Sequence, residues 1–351
     1  MNDPAKPDPA KLAEWRARFS NDRPHQTEDA AFRKAAALGF RDAGRRALPY
    51  SGVATLLGAP YRPDAAEMAD FGGIEVALIG VPMDLGVTNR AGARLGPRAM
   101  RNVERIGPFH HTHHLAPLAE LRVADVGDVA FASRFSLEQS LHDIEGFVAR
   151  AVAAGVRPLS AGGDHSISYP ILRAVGRGRP VGMVHIDAHC DTSGVYEGSR
   201  FHHGGPFRQA VLDGVLDPAR TIQIGIRGGG EYLWEFSTAT GMTVIHAEEV
   251  DTLGMERVIA RAREVVGAAP CYISFDVDAI DPGFAPGTGT PEVGGLSPRE
   301  VQRLLRGLAG LRVIGGDVVE VAPQYDTSTA TAQIGAQMMF EILALLALAP
   351  G

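Results

Sequence analysis

The chain has 351 residues with a net charge of −7, and 45% of its residues are hydrophobic. This composition is typical of a globular protein with a substantial core, and the negative charge argues against nucleic acids or anionic membranes as partners. The only two cysteines, Cys190 and Cys271, offer no disulfide framework, and the first residues form no apolar leader. We therefore expect a cytoplasmic protein.

Residues 1–70 are rich in proline, alanine and charge, and we predict an N-terminal arm with short helices. For residues 71–351 we predict one α/β domain, because short apolar runs alternate there with helical segments. The runs are rich in valine and isoleucine, as in fully buried parallel strands. In chain order they are IEVALIGVP, RPLSAGG, PVGMVHIDAH, RTIQIGIRG, MTVIHAEE, CYISFDVDAI and LRVIGGDVVEV.

Two helices between these runs carry capping signals at both ends. Each begins with a serine, Ser136 or Ser297, that is followed three residues later by glutamine or glutamate. They end near Gly155 and Gly310. The apolar stretch IGAQMMFEILALLALAP contains Glu341, so we interpret it as a buried helix and not as a membrane span.

Polar residues cluster where four of the predicted strands end, in SAGGDHS, DAHCD, FDVDAIDP and GGDVVEVAP. In parallel sheets, ligands bind at the carboxyl ends of the strands. Asp187, His189 and Asp191 are spaced two residues apart, so a continuing strand would aim all three the same way, and a bend would still leave them close. By the same alternation, we expect Cys190 to point away from them as a packed thiol.

Asp276 and Asp278 share one strand face by the same rule, and GGDHS adds His165. A single aspartate at a strand end is usually a helix N-cap. Several such clusters instead favour a metal site, because unpaired buried charge costs several kcal/mol. The donor set exceeds what one ion uses and suits two divalent ions, with Mn²⁺ favoured and Ni²⁺, Co²⁺ or Fe²⁺ as alternatives.

Two such ions would lower the pKa of a bound water, which implies hydrolysis at an electrophilic carbon or phosphorus centre. Phosphate esters would need a P-loop or a basic clamp, and neither stands beside these clusters. Glu320, on a neighbouring predicted strand, instead suits a cationic and planar substrate head.

The motifs GGDHS, DAHCD and SFDVDAIDPGFAPGTGTP resemble the signatures of the ureohydrolases, the arginase and agmatinase family. GVPMDLGVTNRAGARLGPRAMR and GGDVVEVAP also resemble it, and the resemblance covers about residues 70–345. It implies a three-layer α/β/α fold with a central, mainly parallel sheet of about eight strands. It also implies a homotrimer or homohexamer, alone or with a homologous subunit, and two divalent metal ions. These are usually Mn²⁺, with Ni²⁺ in some guanidine-hydrolysing branches.

The resemblance also implies roles for individual residues. Asp191 and Asp278 would lie near the nucleophilic water, His203 would carry protons to the leaving amine, and Glu320 would pair with the guanidinium. The implied reaction cleaves a C–N bond of a small guanidino compound to give urea and an amine. Thr290 would line the site, and the implied metal ligands are His165, Asp187, His189, Asp191, Asp276 and Asp278.

The loop after Asp191 lacks the asparagine that holds arginine in true arginases, so arginine is a poor candidate substrate. The sequence is more similar to the branch of agmatinase, guanidinobutyrase and guanidinopropionase, which also contains enzymes for free guanidine and, more distantly, for a substituted biguanide. We expect the substrate tail to contact residues 192–202 and the VTNRAGAR loop, including Asn89. Arg90, Arg94 or Arg200 could receive a carboxylate, favouring a guanidino acid over agmatine, or could form structural ion pairs.

Two other functions, and several roles for the remaining histidines, fit the same sequence. A metal amidohydrolase related to the deacetylases would keep the fold but use fewer acidic ligands than this chain offers. A non-catalytic partner subunit would be expected to lose ligands, and none is lost here. His202 fits an ordinary loop histidine, and the run HHTHH at 110–114 fits a second metal patch, part of the substrate loop or a surface loop.

Overall fold

A computed structural model describes residues 8–20, 27–41, 45, 46, 48, 50–67, 70–104, 106–229 and 234–350. Its centre is a sheet of eight parallel strands with helices around it, which confirms the predicted fold class. The strands are β1 Val76–Val81, β2 Val123–Asp128, β3 Arg157–Gly162, β4 Val181–Ile186, β5 Leu216–Ile226, β6 Thr243–His246, β7 Cys271–Asp276 and β8 Val313–Val319. Across the sheet they run in the order β2-β1-β3-β8-β7-β4-β5-β6.

Seven of these strands coincide with the predicted apolar runs, and the sequence reading missed the eighth, β2. This strand pairs with β1 alone, at one edge of the sheet. Its sequence VADVGD contains two aspartates, and Asp125 is buried because the guanidinium of Arg101 contacts it at 2.8 Å. An edge strand stabilised by an ion pair has no continuous apolar run, so periodicity alone does not reveal it.

Helices cover both faces of the sheet and bury two hydrophobic clusters against it. One cluster includes residues of α4 and α10–α13, and the other includes residues of α6–α8. The helices are α1 Pro9–Phe19, α2 Ala30–Gly39, α3 Asp64–Glu67, α4 Gly96–Arg101, α5 Pro117–Glu120, α6 Leu137–Ala153, α7 Ser168–Val175, α8 Pro206–Leu212, α9 Glu235–Thr240, α10 Ala247–Leu253, α11 Met255–Val266, α12 Pro298–Gly307 and α13 Ala330–Leu348.

The helix-capping predictions are confirmed at both sites. The Ser136 side chain accepts a hydrogen bond from the Gln139 amide at the start of α6. Ser297 and Glu300 form a reciprocal capping box at the start of α12. Gly155 and Gly310 follow the two helices with φ angles of 77° and 86°, a conformation that glycine adopts readily.

The apolar C-terminal stretch forms α13. In the part of the chain that the structure describes, it is the one helix long and apolar enough to cross a membrane, and 72% of its apolar window is buried inside the protein. It packs against β8 and α12, and Glu341 lies buried within it. The stretch is therefore a core helix, as its glutamate indicated.

The N-terminal arm contains α1 and α2, followed by paired two-residue strands at Phe40–Arg41 and Arg45–Arg46. The first of these helices, α1, has no buried residue. The second, α2, packs on the domain through Phe32, whose ring centroid lies 4.6 Å from that of Phe109. The division of the chain at residue 70 stays a prediction.

Candidate active site

The four innermost strands of the sheet, β3, β8, β7 and β4, end side by side at its carboxyl edge. His165 lies in a one-turn 3₁₀ helix just after β3, and Glu320 follows β8 directly. Asp276 is the last residue of β7, and Asp187 is the first residue after β4. The predicted polar clusters therefore meet at one place.

His165 is the centre of the deeper half of this site. Its Nδ1 atom lies 2.8 Å from Asp191 Oδ2, 3.1 Å from Asp187 Oδ2 and 3.3 Å from Asp276 Oδ2. The imidazole and the three carboxylates are all buried. Even so, Nδ1 has no hydrogen bond of acceptable geometry among the described residues.

His189 is the centre of the outer half. Its Nδ1 atom lies 3.1 Å from Asp278 Oδ2 and 3.5 Å from Asp187 Oδ1, so Asp187 contacts both histidines. On the outer side of the ring, Nε2 lies 3.5 Å from the carboxylate of Glu292, which is partly exposed. The two halves thus form one continuous cluster that opens towards solvent at His189.

Burial and like charges perturb the carboxylates strongly. Burial and the neighbouring carboxylates of Asp278 and Asp187 hold the pKa of Asp276 well above its ordinary value. Burial and Asp187 raise the pKa of Asp278 to about 6. Burial alone would raise the pKa of Asp187, but His185 and His165 lower it well below the ordinary value. Without further positive charge, the cluster cannot keep all its carboxylates ionised at low cost.

The histidines respond in the opposite direction. Burial alone would lower the pKa of His165, but Asp191 and the other carboxylates raise it well above its usual range. Burial alone would also lower the pKa of His189, and Asp278 and Asp187 raise it. Each imidazole therefore lies in a strongly negative environment.

The cluster fits divalent metal ions. In the described part of the chain, its carboxylates pair only with histidines and with no lysine or arginine. The buried Nδ1 of His165 has no hydrogen-bond partner among the described residues, faces three carboxylates and could serve as a metal ligand. Two groups bring ligand atoms within 4.8 Å of one another: His165, His185 and Asp187, and Asp187, His189 and Asp278. Cations would satisfy the free nitrogen and neutralise the carboxylates.

The local backbone explains how Asp191 reaches His165. The β4 strand ends at Ile186, so strand alternation does not extend along residues 187–191. Asp191 instead adopts a left-handed φ of 52°, and Glu320 does so at 63°. Such conformations cost about 1–3 kcal/mol each and concentrate at functional sites. Cys190 is buried, as expected for a packed thiol, and burial raises its pKa to about 12.

Glu320 and His203 form a pair beside the cluster. Glu320 Oε1 accepts hydrogen bonds from the His165 amide and from His203 Nδ1, each at 2.9 Å. Its other oxygen, Oε2, is buried and has no partner among the described residues. Burial alone would lower the pKa of His203, but Glu320 raises it to about 9. The pair therefore presents one free, buried acceptor to a cationic ligand.

Three comparisons with known proteins agree on the family. The model of the Arginase family matches residues 74–345. The chain is 51% identical to a guanidinopropionase from Pseudomonas aeruginosa, over 85% of this chain and 93% of that one, and 43% identical to a mitochondrial agmatinase from Gallus gallus, over 84% and 86%. It superposes on the proclavaminate amidino hydrolase from Streptomyces clavuligerus with a TM-score of 0.81 and 35% identity, over 86% and 99%.

The chain belongs to the arginase family. This confirms the predicted ureohydrolase family and, with it, a hydrolase that acts on amidino C–N bonds. Members of the family act on guanidino compounds and depend on metal, and the candidate metal-binding cluster described above is present in this chain.

Two of the predicted substrate contacts lie on loops of this arginase-family site. Thr290 donates a hydrogen bond from Oγ1 to Asp278 Oδ2 at 3.2 Å, so it touches the outer half of the cluster. Asn89 is exposed. The hydroxyl oxygen of the neighbouring Thr88 lies 2.7 Å from His203 Nε2, which joins the loop to the proposed proton carrier.

The three arginines that could receive a carboxylate differ in how they are engaged. Arg90 donates to the carbonyls of Thr288 and Gly289 at 2.8 and 3.2 Å and braces that loop. Arg94 forms an ion pair with the buried Asp84.

Arg200, the third arginine, has no ion pair with any residue in the described ranges, and its guanidinium stacks 4.5 Å above the ring of Phe201. It also lines a small cavity beside His202 and Ser166, which adjoin His203 and His165 in sequence.

The histidines at 110–114 take no part in the metal cluster. His110 is buried and contacts Glu341 Oε2 at 2.7 Å, and its ring stacks on that of His113 at 4.6 Å. His114 contacts Asp29 of the N-terminal arm at 3.0 Å. Within the described residues, neither group with metal-binding geometry includes them. Through the contact of His114 with Asp29, the loop instead ties the arm to the domain. His202 supports its own loop by contacting the Gly194 carbonyl at 2.8 Å.

Sequence reasoning missed four polar residues that lie behind the cluster and contact it directly or through one another. They are His185, Gln223, Ser274 and Asp317, and all are fully buried. Each is a buried polar residue inside one of the predicted strand runs, and that is the signal that could have revealed them.

Proposed function

We propose that this protein hydrolyses a small guanidino acid to urea and the corresponding amino acid, using two divalent metal ions. The observation that carries the proposal is the buried cluster of six potential ligands beside a glutamate with one free oxygen. The ligands would be His165, Asp187, His189, Asp191, Asp276 and Asp278. When bound, the ions would supply a water of lowered pKa as the nucleophile.

The residues of the chain then have defined tasks. Glu320 holds the guanidinium through its free Oε2, which orients the central carbon towards the cluster. Asp191 and Asp278 would accept hydrogen bonds from the attacking water and hold it in place. His203 stays protonated near neutral pH because Glu320 raises its pKa to about 9, so it can give a proton to the leaving amine.

For the metal we propose Mn²⁺, with Ni²⁺ as the alternative. Four carboxylates and two imidazoles form a mostly oxygen donor set, which suits Mn²⁺ better than Zn²⁺. We assign His185 no ligand role, although it lies near the ligand atoms, because its Nε2 contacts Asp187 at 2.7 Å and its Nδ1 accepts from Gln223.

A guanidino acid is favoured over agmatine by two observations. The guanidinopropionase and the proclavaminate amidino hydrolase compared above are both named for acidic substrates. Arg200 keeps a guanidinium without a carboxylate partner in the described part of the chain, and we propose that it receives the substrate carboxylate. Asn89, Arg90 and Arg94 would shape the VTNRAGAR loop, and Thr290 would line the outer half of the metal cluster.

The same proposal includes a cytoplasmic location and a homotrimeric or homohexameric assembly. Both cysteines are free and buried, which is typical of proteins from reducing compartments. The arm helix α1, with Trp15 about half exposed, offers apolar surface for a subunit contact. Because no ligand of the cluster is replaced, we favour an active enzyme over a non-catalytic partner subunit.

The test is urea release by purified protein loaded separately with Mn²⁺ or Ni²⁺. The panel comprises 3-guanidinopropionate, 4-guanidinobutyrate, agmatine, arginine, guanidine and dimethylbiguanide. We expect the highest kcat/KM for one of the two guanidino acids. A preference for agmatine, guanidine or the biguanide would overturn the acid specificity, and absence of urea from every compound with both ions bound would overturn the proposed reaction.

A further inference from the structure

A row of polar side chains crosses the middle of the sheet, one to three residues before the end of each strand. The strand register places Asp317 of β8 beside Ser274 of β7, Ser274 beside His185 of β4, and His185 beside Gln223 of β5. All four side chains are fully buried. Burying polar groups inside a sheet costs free energy unless each is hydrogen-bonded, so the bonds within this row are informative.

Asp317 is the acceptor at one end of the row. Its carboxylate accepts hydrogen bonds from the hydroxyl groups of Ser274 at 2.7 Å, Tyr272 at 2.8 Å and Ser168 at 2.7 Å. A carboxylate has no proton to offer, so these three hydroxyls must donate. A hydroxyl has one proton, and that of Ser274 is therefore directed to Asp317.

The direction of this bond decides which nitrogen of His165 keeps its proton. Ser274 Oγ also lies 2.8 Å from His165 Nε2. Because the Ser274 proton already points to Asp317, this second bond requires a proton on His165 Nε2. The opposite nitrogen, Nδ1, which faces three carboxylates, is then the one that can give up its proton and bind an ion.

The other end of the row acts on Asp187 in the same way. The Gln223 side chain lies 2.6 Å from the Cys190 carbonyl, which can only accept, so the atom that faces it is the amide nitrogen. That nitrogen also donates to His185 Nδ1 at 3.0 Å. His185 therefore carries its proton on Nε2 and donates it to Asp187 at 2.7 Å.

We propose that the row Asp317, Ser274, His185 and Gln223 is a positioning layer for the metal centre. Asp317 directs the Ser274 hydroxyl and thereby keeps His165 Nδ1 free for an ion, while Gln223 orients His185 as a donor to Asp187. This inference rests on the proposed metal-dependent function. It assigns to four residues a role in metal affinity that requires no contact with substrate.

The test measures Mn²⁺ affinity by competition with a chelating dye, without any substrate. Asp317→Asn should weaken binding at one of the two sites by about 10–100-fold, as is usual for residues that support metal ligands. Ser274→Ala should do the same, and Ser274→Thr, which keeps the hydroxyl, should restore most of the affinity. Ser274→Ala also carries the test if Asp317→Asn does not fold.

Asp125→Asn is the matched control. Asp125 is an equally buried strand aspartate, but its partner is Arg101, far along the sheet from the metal cluster. This variant should lose stability and keep wild-type Mn²⁺ affinity.

The possible outcomes separate the two proposals. Wild-type affinity in both Asp317→Asn and Ser274→Ala would overturn the positioning layer and leave the proposed function intact. Equal weakening in Asp125→Asn would overturn it as well, since the effect would then follow general stability. Failure of the wild-type protein to bind two ions of either Mn²⁺ or Ni²⁺ would overturn both proposals.

Discussion

Two buried clusters in this protein combine carboxylates with histidine, and they solve the same electrostatic problem differently. In one, Glu341 receives hydrogen bonds from His110, Arg306, Gln302 and Gln337. Burial alone would raise the pKa of Glu341, but the bonds from His110 and Arg306 lower it to about 2. In the metal cluster, no arginine or lysine plays this part among the described residues, and the pKa of Asp276 is held well above its ordinary value.

The difference shows which buried charges belong to the fold and which await a ligand. The Glu341 cluster is satisfied by the side chains of the chain, so it is complete as folded. The metal cluster can keep all its carboxylates ionised at low cost only when cations are added, so the chain retains it at a cost to its own stability. The same substitution, carboxylate to amide, should therefore have opposite consequences in the two clusters.

The largest effect is expected for Asp276→Asn. Because it removes a ligand, turnover should fall at least about 10³-fold, since metal ions supply several kcal/mol of catalysis, and metal content should fall below two ions per chain. In chelator-treated protein, however, the melting temperature should not fall, because the amide keeps the uncharged form that burial, Asp278 and Asp187 favour at this position. Urea release, elemental analysis and calorimetry check these results, and a fall in the melting temperature without metal would contradict the comparison.

Glu341→Gln should produce the reverse pattern. Breaking one partner of a satisfied buried pair costs about 3–5 kcal/mol, here because Arg306 and His110 lose their carboxylate. Denaturation should show this loss with and without bound metal, while kcat per folded molecule and metal content stay at wild-type values. Unchanged stability would show that this cluster is not the structural one.

These two clusters also show how far the sequence alone could lead. The clustering of acidic side chains was predictable because DAHCD and FDVDAID place charge at the ends of apolar strands. The role of Glu341 as a buried group was predictable from its apolar neighbours, but its partners were not, because His110 and Arg306 lie 231 and 35 residues away. The same limit applies to Asp317 and Ser274, which become neighbours only through strand register.

A smaller effect concerns pH in the metal-free protein. The pKa of Asp278 is about 6 when folded against an ordinary value of 3.8, so the folded state holds a proton that the unfolded state releases. Its contribution should therefore lower the free energy of unfolding as pH rises from about 4 to 6, by about 3 kcal/mol. Asp278→Asn should lack this part of the decline while the part from Asp276, whose pKa is also raised, remains, and denaturation with a chelator across that range measures the difference.

The contribution of Glu341 to the free energy of unfolding changes with pH in the opposite direction. Its pKa is lowered when folded, so its contribution is present above the ordinary value of 4.5 and is lost as pH falls towards 2. Wild-type and Asp278→Asn proteins should therefore share the same loss below pH 4 and differ only above it. A difference of the same size below pH 4 would contradict the assignment to Asp278.

The smallest effect tests an arginine that, unlike Arg306, has no carboxylate in the described part of the chain. If Arg200 receives the substrate carboxylate, Arg200→Ala should raise KM for 3-guanidinopropionate by about tenfold, the value of one charged hydrogen bond in a partly exposed site. The KM for agmatine should not change, since agmatine carries no carboxylate. Arg134→Ala is the matched control. Arg134 also stacks on the phenylalanine that follows it, at 5.0 Å, but it lies just before α6 and outside the 192–202 loop. Equal changes for both compounds would show that Arg200 shapes its loop and does not read the substrate's charge.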